Sequence, residues 1–151
     1  MKVQQIMTRD VECIQPDRTL QDAASRMKAL DVGALPVCGN NRLEGMITDR
    51  DIVVRSIAVG HDPRKETVGE AMTRKLACCR EDQNIEEAAR LMNAKQIRRL
   101  AVINGNRQLV GILALADLAV GSGSPELTGQ TLERISEPEH RDRMTVEATP
   151  Y

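Results

Sequence analysis

Apolar positions along this chain follow two spacings, and the order in which those spacings occur appears twice. Leu20, Ala23, Ala24, Met27 and Leu30 recur at three- and four-residue steps, as do Ile85, Ala88, Ala89 and Met92, so each set predicts one face of a helix. Short apolar runs at 11–14 and 34–38 flank the first set, and runs at 76–79 and 100–103 flank the second; these read as strands. Each helix has a start signal. Thr19 is followed by Asp22, and Asn84 by Glu87, a capping residue with an acid three positions on that satisfies orphan N–H groups and complements the helix dipole. Turns at Gly39-Asn40-Asn41 and Asn104-Gly105-Asn106 lead into return strands at 45–47 and 110–113. Second helices follow at 49–58 and 115–120, and a short helical turn opens each half at 3–7 and 68–72.

The halves match residue by residue. Met7-Thr8 returns as Met72-Thr73, Asp17 as Asp82, and Leu35 and Val37 as Leu100 and Val102. After one inserted residue, Gly45 and Asp51 return as Gly111 and Asp117. The expectation is an α/β (α+β) fold of two pseudo-twofold-related β-α-β-β-α motifs packed through their sheets, with ligand sites in related pairs between them. The first motif covers 1–60, a polar connector 61–67, and the second motif 68–120. The repeat ends before the tail at 121–151, where Ser124-Pro125-Glu126 starts a short helix carrying Leu127, Leu132 and Ile135. A mobile end is expected from about Pro138.

Composition narrows the chemistry. The chain has 151 residues, 41% of them hydrophobic and 28% charged, with a formal net charge of −1. Such a balance gives no global field for nucleic acid or an anionic membrane. There is no Phe or Trp and a single Tyr, Tyr151, so the core is aliphatic and the aromatic platforms of single-strand binding are missing. No apolar run is long enough for a membrane span, and the N-terminus lacks a signal-peptide core; a cytoplasmic protein is expected. Cys13, Cys38, Cys78 and Cys79 form no C-x-x-C pair, and only His61 and His140 could assist them. Buried reduced thiols are the reading, with a redox or metal role as the alternative.

Two segments carry candidate chemistry. Thr48-Asp49-Arg50-Asp51 joins a strand to a helix, and Thr48 and Asp51 have capping-box spacing. The same geometry suits ribose, with Asp51 accepting both hydroxyls and Thr48 on a ribose or phosphate oxygen at the helix start. In the second copy Asp117 persists but Ala114 replaces Thr48; a cap would more readily be lost whole, which favours function. The other segment is Arg98-Arg99, where the first copy has Gly33-Ala34. Two guanidiniums suit a phosphate, and they also suit an ordinary solvated turn. Arg50 is a weaker phosphate candidate. No Ser-His-Asp or Cys-His set, Walker loop or metal-ligand spacing is present, which argues against an enzyme.

The segments Ile14-Gln-Pro-Asp17-Arg-Thr-Leu20, Val32-Gly-Ala-Leu-Pro-Val37 and Gly45-Met-Ile-Thr48-Asp-Arg-Asp51-Ile, with their second-half counterparts, resemble a tandem pair of cystathionine β-synthase (CBS) domains over residues 3–120. The chain is similar to small stand-alone bacterial CBS-pair proteins. That resemblance implies a Bateman module whose two clefts bind adenosine-containing ligands (AMP, ADP, ATP or S-adenosylmethionine) as regulatory ligands rather than catalytic cofactors. One cleft would use Thr48 and Asp51 for ribose, with adenine near Ala77 and Ile97. The other would use Asp117 for ribose, Glu12 and Val32 near adenine, and Arg98 and Arg99 for phosphate, with Thr8 and Thr73 at the phosphate ends. Ala114 departs from the family pattern. The resemblance further implies a homodimer, and a module without an effector domain needs a separate protein partner. The alternative is an interaction protein with vestigial clefts acting through dimerisation and its tail.

Overall fold

A computed structural model of the chain describes residues 1–137; the expected mobile end and His140 lie outside the described residues. The fold is mixed α/β, with two small sheets. The first helix, α1 (Leu20–Leu30), is capped by Thr19, whose hydroxyl accepts the Asp22 N–H at 3.1 Å. It leads to β1 (Ala34–Gly39), which pairs antiparallel with β2 (Arg42–Thr48). Asn40 and Asn41 both take positive φ, 52° and 62°, the conformation a tight hairpin demands and asparagine tolerates.

After β2 the chain winds helically from 49 to 59 in three pitches. These are an α turn, α2 (Asp49–Asp51), a π turn (Ile52–Ser56) and a 3₁₀ turn (Ile57–Val59) that Gly60 ends in the left-handed region. In the connector, Asp62 accepts from Arg64 through both backbone and side chain, and that guanidinium holds its carboxyl below the usual carboxylate range.

The second half repeats the plan with α3 (Val68–Ala71), β3 (Cys78–Arg80), α4 (Ile85–Lys95), β4 (Arg99–Ile103), β5 (Leu109–Ala114) and α5 (Leu115–Gly121). Here β3 pairs parallel with β4, and the sheet order is β3-β4-β5. The first half is less regular: the strand expected at 11–14 reduces to one bridge, Ile14 to Val37. The tail helix forms as α6 (Pro125–Ile135), and Ser124 caps it by accepting the Leu127 N–H at 3.2 Å. It packs along α4 and α5, burying Ile135 and the hydroxyl-bearing Thr131 but leaving Leu132 exposed. Ala89 of α4 is buried, whereas its counterpart Ala24 is exposed, as is Leu30, so the apolar stripe read on α1 is narrower than expected. Ser124→Ala should lower stability by about 0.5–2 kcal/mol through loss of the cap, read by denaturant melting.

Contacts divide the chain into two compact units, neither of which is a continuous half. One contains residues 1–9, 77–103 and 111–137; the other contains 10–76 and 104–110. The opening turn of each repeat is seated among elements of the other. In the first unit Val3 N–H donates to Gln83 O (2.9 Å) and Gln4 N–H to Glu81 O (3.0 Å), and Thr8 and Ile112 exchange both backbone bonds. In the second unit Val68 N–H donates to Arg18 O (2.8 Å) and Gly69 N–H to Pro16 O (2.9 Å), and Thr73 and Met46 exchange both bonds.

Each unit has its own aliphatic core. In the second unit this is Ile14, Leu20, Ala23, Met27, Leu35, Val37, Ile47, Ile52, Val68, Ala71 and Met72. The expectation of buried thiols holds for Cys79 alone; Cys13, Cys38 and Cys78 are partly exposed. Their strand-like segments lie at the sheet margin, where side chains on one side face outward.

Candidate functional site

Each unit places one acid where a β-strand turns into a helix. In the second unit, Thr48 ends β2 in an extended conformation and caps α2. Its hydroxyl accepts the Asp51 N–H at 3.0 Å, and the Asp51 carboxylate accepts the Thr48 N–H at 3.0 Å, a complete capping box. The second Asp51 oxygen faces Arg55 Nε at 3.6 Å. Arg55 is held in turn by the Ala71 and Met72 carbonyls, each 3.3 Å from Nη1, a cation at the end of α3. The Asp51 side chain is 13% exposed.

The turn entering β1 is tied to the same place: Asp49 N–H donates to Gly33 O at 2.9 Å, and a Cβ on Gly33 would come within 3.0 Å of the Asp49 carboxylate. Thr73 is bonded to Met46, two residues before Thr48, and Val32 is exposed beside the turn. Glu12 is also in this unit, exposed and 3.6 Å from Arg26.

The first unit repeats this geometry with different side chains. Asp117 accepts the Ala114 N–H at 2.8 Å, keeping half of the box, while Ala114 has no oxygen to return the bond. Losing the hydroxyl therefore does not free the acid from structural work, and capping by itself accounts for the persistence of Asp117. Its other oxygen receives the Thr8 hydroxyl at 3.4 Å. Thr8 thus stands beside the acid. Leu115 N–H donates to Arg98 O at 2.9 Å, the equivalent of the Asp49–Gly33 bond, and so brings the Arg98-Arg99 turn against the start of α5. Both arginines are exposed. Where one unit has Gly33 and Asp49, the other has Arg98 and Leu115, and the charge at the helix start changes from acidic to basic.

The structure therefore brings together Thr48, Asp49, Arg50, Asp51, Arg55 and Thr73 in one unit, and Thr8, Arg98, Arg99 and Asp117 in the other. Ala77 and Ile97 belong to the unit of Asp117, and Glu12 and Val32 to that of Asp51. The pairings drawn from the resemblance, Ala77 and Ile97 with Asp51, and Glu12 and Val32 with Asp117, join residues of different units. One participant, Arg55, escaped the sequence reading, as did one contact, that of Thr8 with Asp117. Arg55 was signalled by its i, i+4 spacing from Asp51; the contact of Thr8 with Asp117 spans 109 positions and had no local signal. Among the described residues no group of three or more His, Cys, Asp or Glu could hold a metal, and no helix is long and apolar enough to cross a membrane.

Known proteins share this sequence pattern and fold. The profile of the CBS domain family matches residues 3–57 and 68–120. The chain belongs to the CBS domain family: it is a CBS pair, a type of module that is generally regulatory and non-catalytic. It is 44% identical to the CBS domain-containing protein YhcV of Bacillus subtilis over 89% of this chain and 94% of that protein. It is 43% identical to hypoxic response protein 1 of Mycobacterium tuberculosis over 76% of this chain and 80% of that protein. A solved structure of hypoxic response protein I with two coordinated zinc ions superposes with a TM-score of 0.73 at 39% identity, covering 83% of this chain and all of that one.

Two further structures hold adenosyl compounds. CBSX2 in complex with AMP has a TM-score of 0.70 at 27% identity, covering 80% of this chain and 95% of that one. The CBS domain pair of MJ0100, in complex with 5′-methylthioadenosine and S-adenosyl-L-methionine, has 0.69 at 25%, covering 79% and 93%.

Proposed function

We propose that this protein is a non-catalytic sensor of adenosine-containing ligands, in which Asp51 and Asp117 each receive ribose hydroxyls and the occupied form is read by a separate protein. The observation that supports this reading is the duplicated strand-to-helix acid, present in both units with its carboxylate held by the backbone N–H of the residue three positions before it. A carboxylate fixed in that way offers its remaining lone pairs in a set direction, as a pair of vicinal hydroxyls requires. The AMP and S-adenosylmethionine complexes of related CBS pairs support the ligand class. A homodimer acting in the cytoplasm is part of the same proposal. A ligand alters what the partner reads only through its different affinity for two shapes of the module.

The two acids differ in what surrounds them, and this gives the proposal its detail. Arg98 and Arg99 stand at the start of α5 near Asp117, so phosphate-bearing ligands favour that unit. Asp49 at the equivalent point disfavours phosphate near Asp51. Calorimetric titration of the purified protein with AMP, ADP, ATP and S-adenosylmethionine tests the ligand class; absence of binding by all four at millimolar concentration ends it. The double substitution Arg98→Ala/Arg99→Ala should weaken the nucleotides on the order of tenfold while leaving S-adenosylmethionine unchanged, because only the former carry phosphate. Equal losses for both classes would assign the arginines a structural part.

A further inference from the structure

Cys13 and Cys38 place their sulfur atoms 2.7 Å apart, within one unit. The backbone brings them there. Ile14 pairs in parallel with Val37, Ile14 N–H donating to Pro36 O at 2.9 Å and Cys38 N–H to Ile14 O at 3.0 Å. Ile14 and Val37 are paired, so Cys13 and Cys38, one position to either side of that pair, fall on the same face. Both thiols are partly exposed and open to a small solute.

The duplication supplies an internal control. In the other unit Cys79 pairs with Val102 as Ile14 does with Val37, so Cys78 stands where Cys13 does; but the place of Cys38 is taken by Ile103. The fold therefore forms around this position without two thiols, and the sulfur pair is an addition to one copy.

The two sulfurs are also unequal. The hydrogen bond from Cys38 holds the Cys13 thiol below its ordinary range, and the same bond, with burial, pushes Cys38 up. The Arg26 guanidinium, donating to Cys13 O at 3.0 Å, adds a cation nearby. Cys79 is pushed up to about 12 by burial and is unreactive by comparison.

We infer that Cys13 and Cys38 form a hydroperoxide-reactive dithiol that closes reversibly to an intramolecular disulfide. The Cys13 sulfur attacks hydrogen peroxide; an S–O bond forms, the O–O bond breaks, and the departing hydroxide takes the Cys13 proton to leave as water. The Cys38 sulfur then attacks Cys13. The S–S bond forms, the S–O bond breaks, and hydroxide leaves with the Cys38 proton as a second water. Two thiols and one peroxide give one disulfide and two waters, with two electrons passing to the peroxide. A dithiol reductant reverses the reaction by exchange. The bridge closes a span of 25 positions and fastens the segment carrying Glu12 to β1. It thereby narrows the unfolded ensemble and raises the melting temperature.

The test uses the full chain and does not depend on the ligand. After brief treatment with hydrogen peroxide, the four titratable thiols of the reduced protein should fall to two, with peptide mapping joining Cys13 to Cys38 and dithiothreitol restoring all four. The oxidised form should melt several degrees higher, a gain absent in Cys13→Ser. In Cys38→Ser, Cys13 should stop at the sulfenic acid and be trapped by dimedone, whereas in Cys13→Ser the remaining Cys38 should stay unmodified at the same dose. Four thiols surviving peroxide in the wild-type chain, or a bridge mapping to Cys78, Cys79 or a second chain, would overturn the inference.

Discussion

Gly45→Ala should destabilise the protein by about 1–3 kcal/mol, lowering its melting temperature by roughly 3–9 °C. A Cβ at this position would lie 2.6 Å from Thr73 O and 2.8 Å from Met72 Sδ. The methionine end could swing aside, but the carbonyl cannot, because it accepts the Met46 N–H in the bridge that seats residues 68–73. Relief therefore means opening that bridge. Gly111 is the counterpart: its Cβ would meet Thr8 O at 2.7 Å and Met7 Sδ at 2.8 Å, so Gly111→Ala should cost a similar amount. Gly105→Ala, with nothing within 4 Å of the added methyl, should stay within about 0.5 kcal/mol of wild type. Denaturant melts of the three variants check this, and an unaffected Gly45→Ala protein would refute the close approach.

Asp51→Asn and Asp117→Asn should each weaken adenosyl-ligand binding on the order of 10- to 100-fold at the affected site. The amide is chosen because it separates cap from ligand. Asparagine retains one oxygen to accept the Thr48 or Ala114 N–H, so folding should change little. It lacks the second charged oxygen that a ribose diol would need. In Asp51→Asn the Arg55 side chain, itself 52% exposed, also loses the charge on its facing oxygen, at a cost of about 1 kcal/mol or less. Calorimetry on both variants reads the effect. Unchanged affinity in both would place the ligand elsewhere and leave the acids as caps.

What could be read from the sequence was whatever is local. The helix starts at Thr19 and Ser124, the Asn40-Asn41 hairpin and the acid at each strand-to-helix junction depend on neighbours within four positions, and each is present. The aliphatic core followed from composition. What escaped depends on distant partners. Residues 11–13 have strand-like composition but, with only the Ile14 bridge beside them, no ladder forms there. Ala24 and Ala89 are the same residue at the same helical position, yet only Ala89 is buried, and α6 lies along its helix. The approach of Cys13 to Cys38 depends on the bridge of Ile14 to Val37, a distant pairing that no periodicity encodes. The candidate site was legible as residue types and as a duplication. Its long-range contacts, with Thr8 meeting Asp117 and Arg55 held by the Ala71 and Met72 carbonyls, needed the fold.

The seating of each opening turn in the opposite repeat bears on how such a chain could arise and how it can be cut. A fragment spanning one repeat carries a turn whose seat belongs to the other repeat, and keeps a seat with nothing in it. Alone, that fragment leaves the ladder edges at Met46 or Ile112 unpaired. Two identical fragments can each fill the other's vacancy, so the half-chain is complete only as a pair. Duplication and fusion would convert that reciprocal dimer into one chain without altering any contact, after which each copy was free to diverge. The arginines of one repeat and the paired thiols of the other show that divergence.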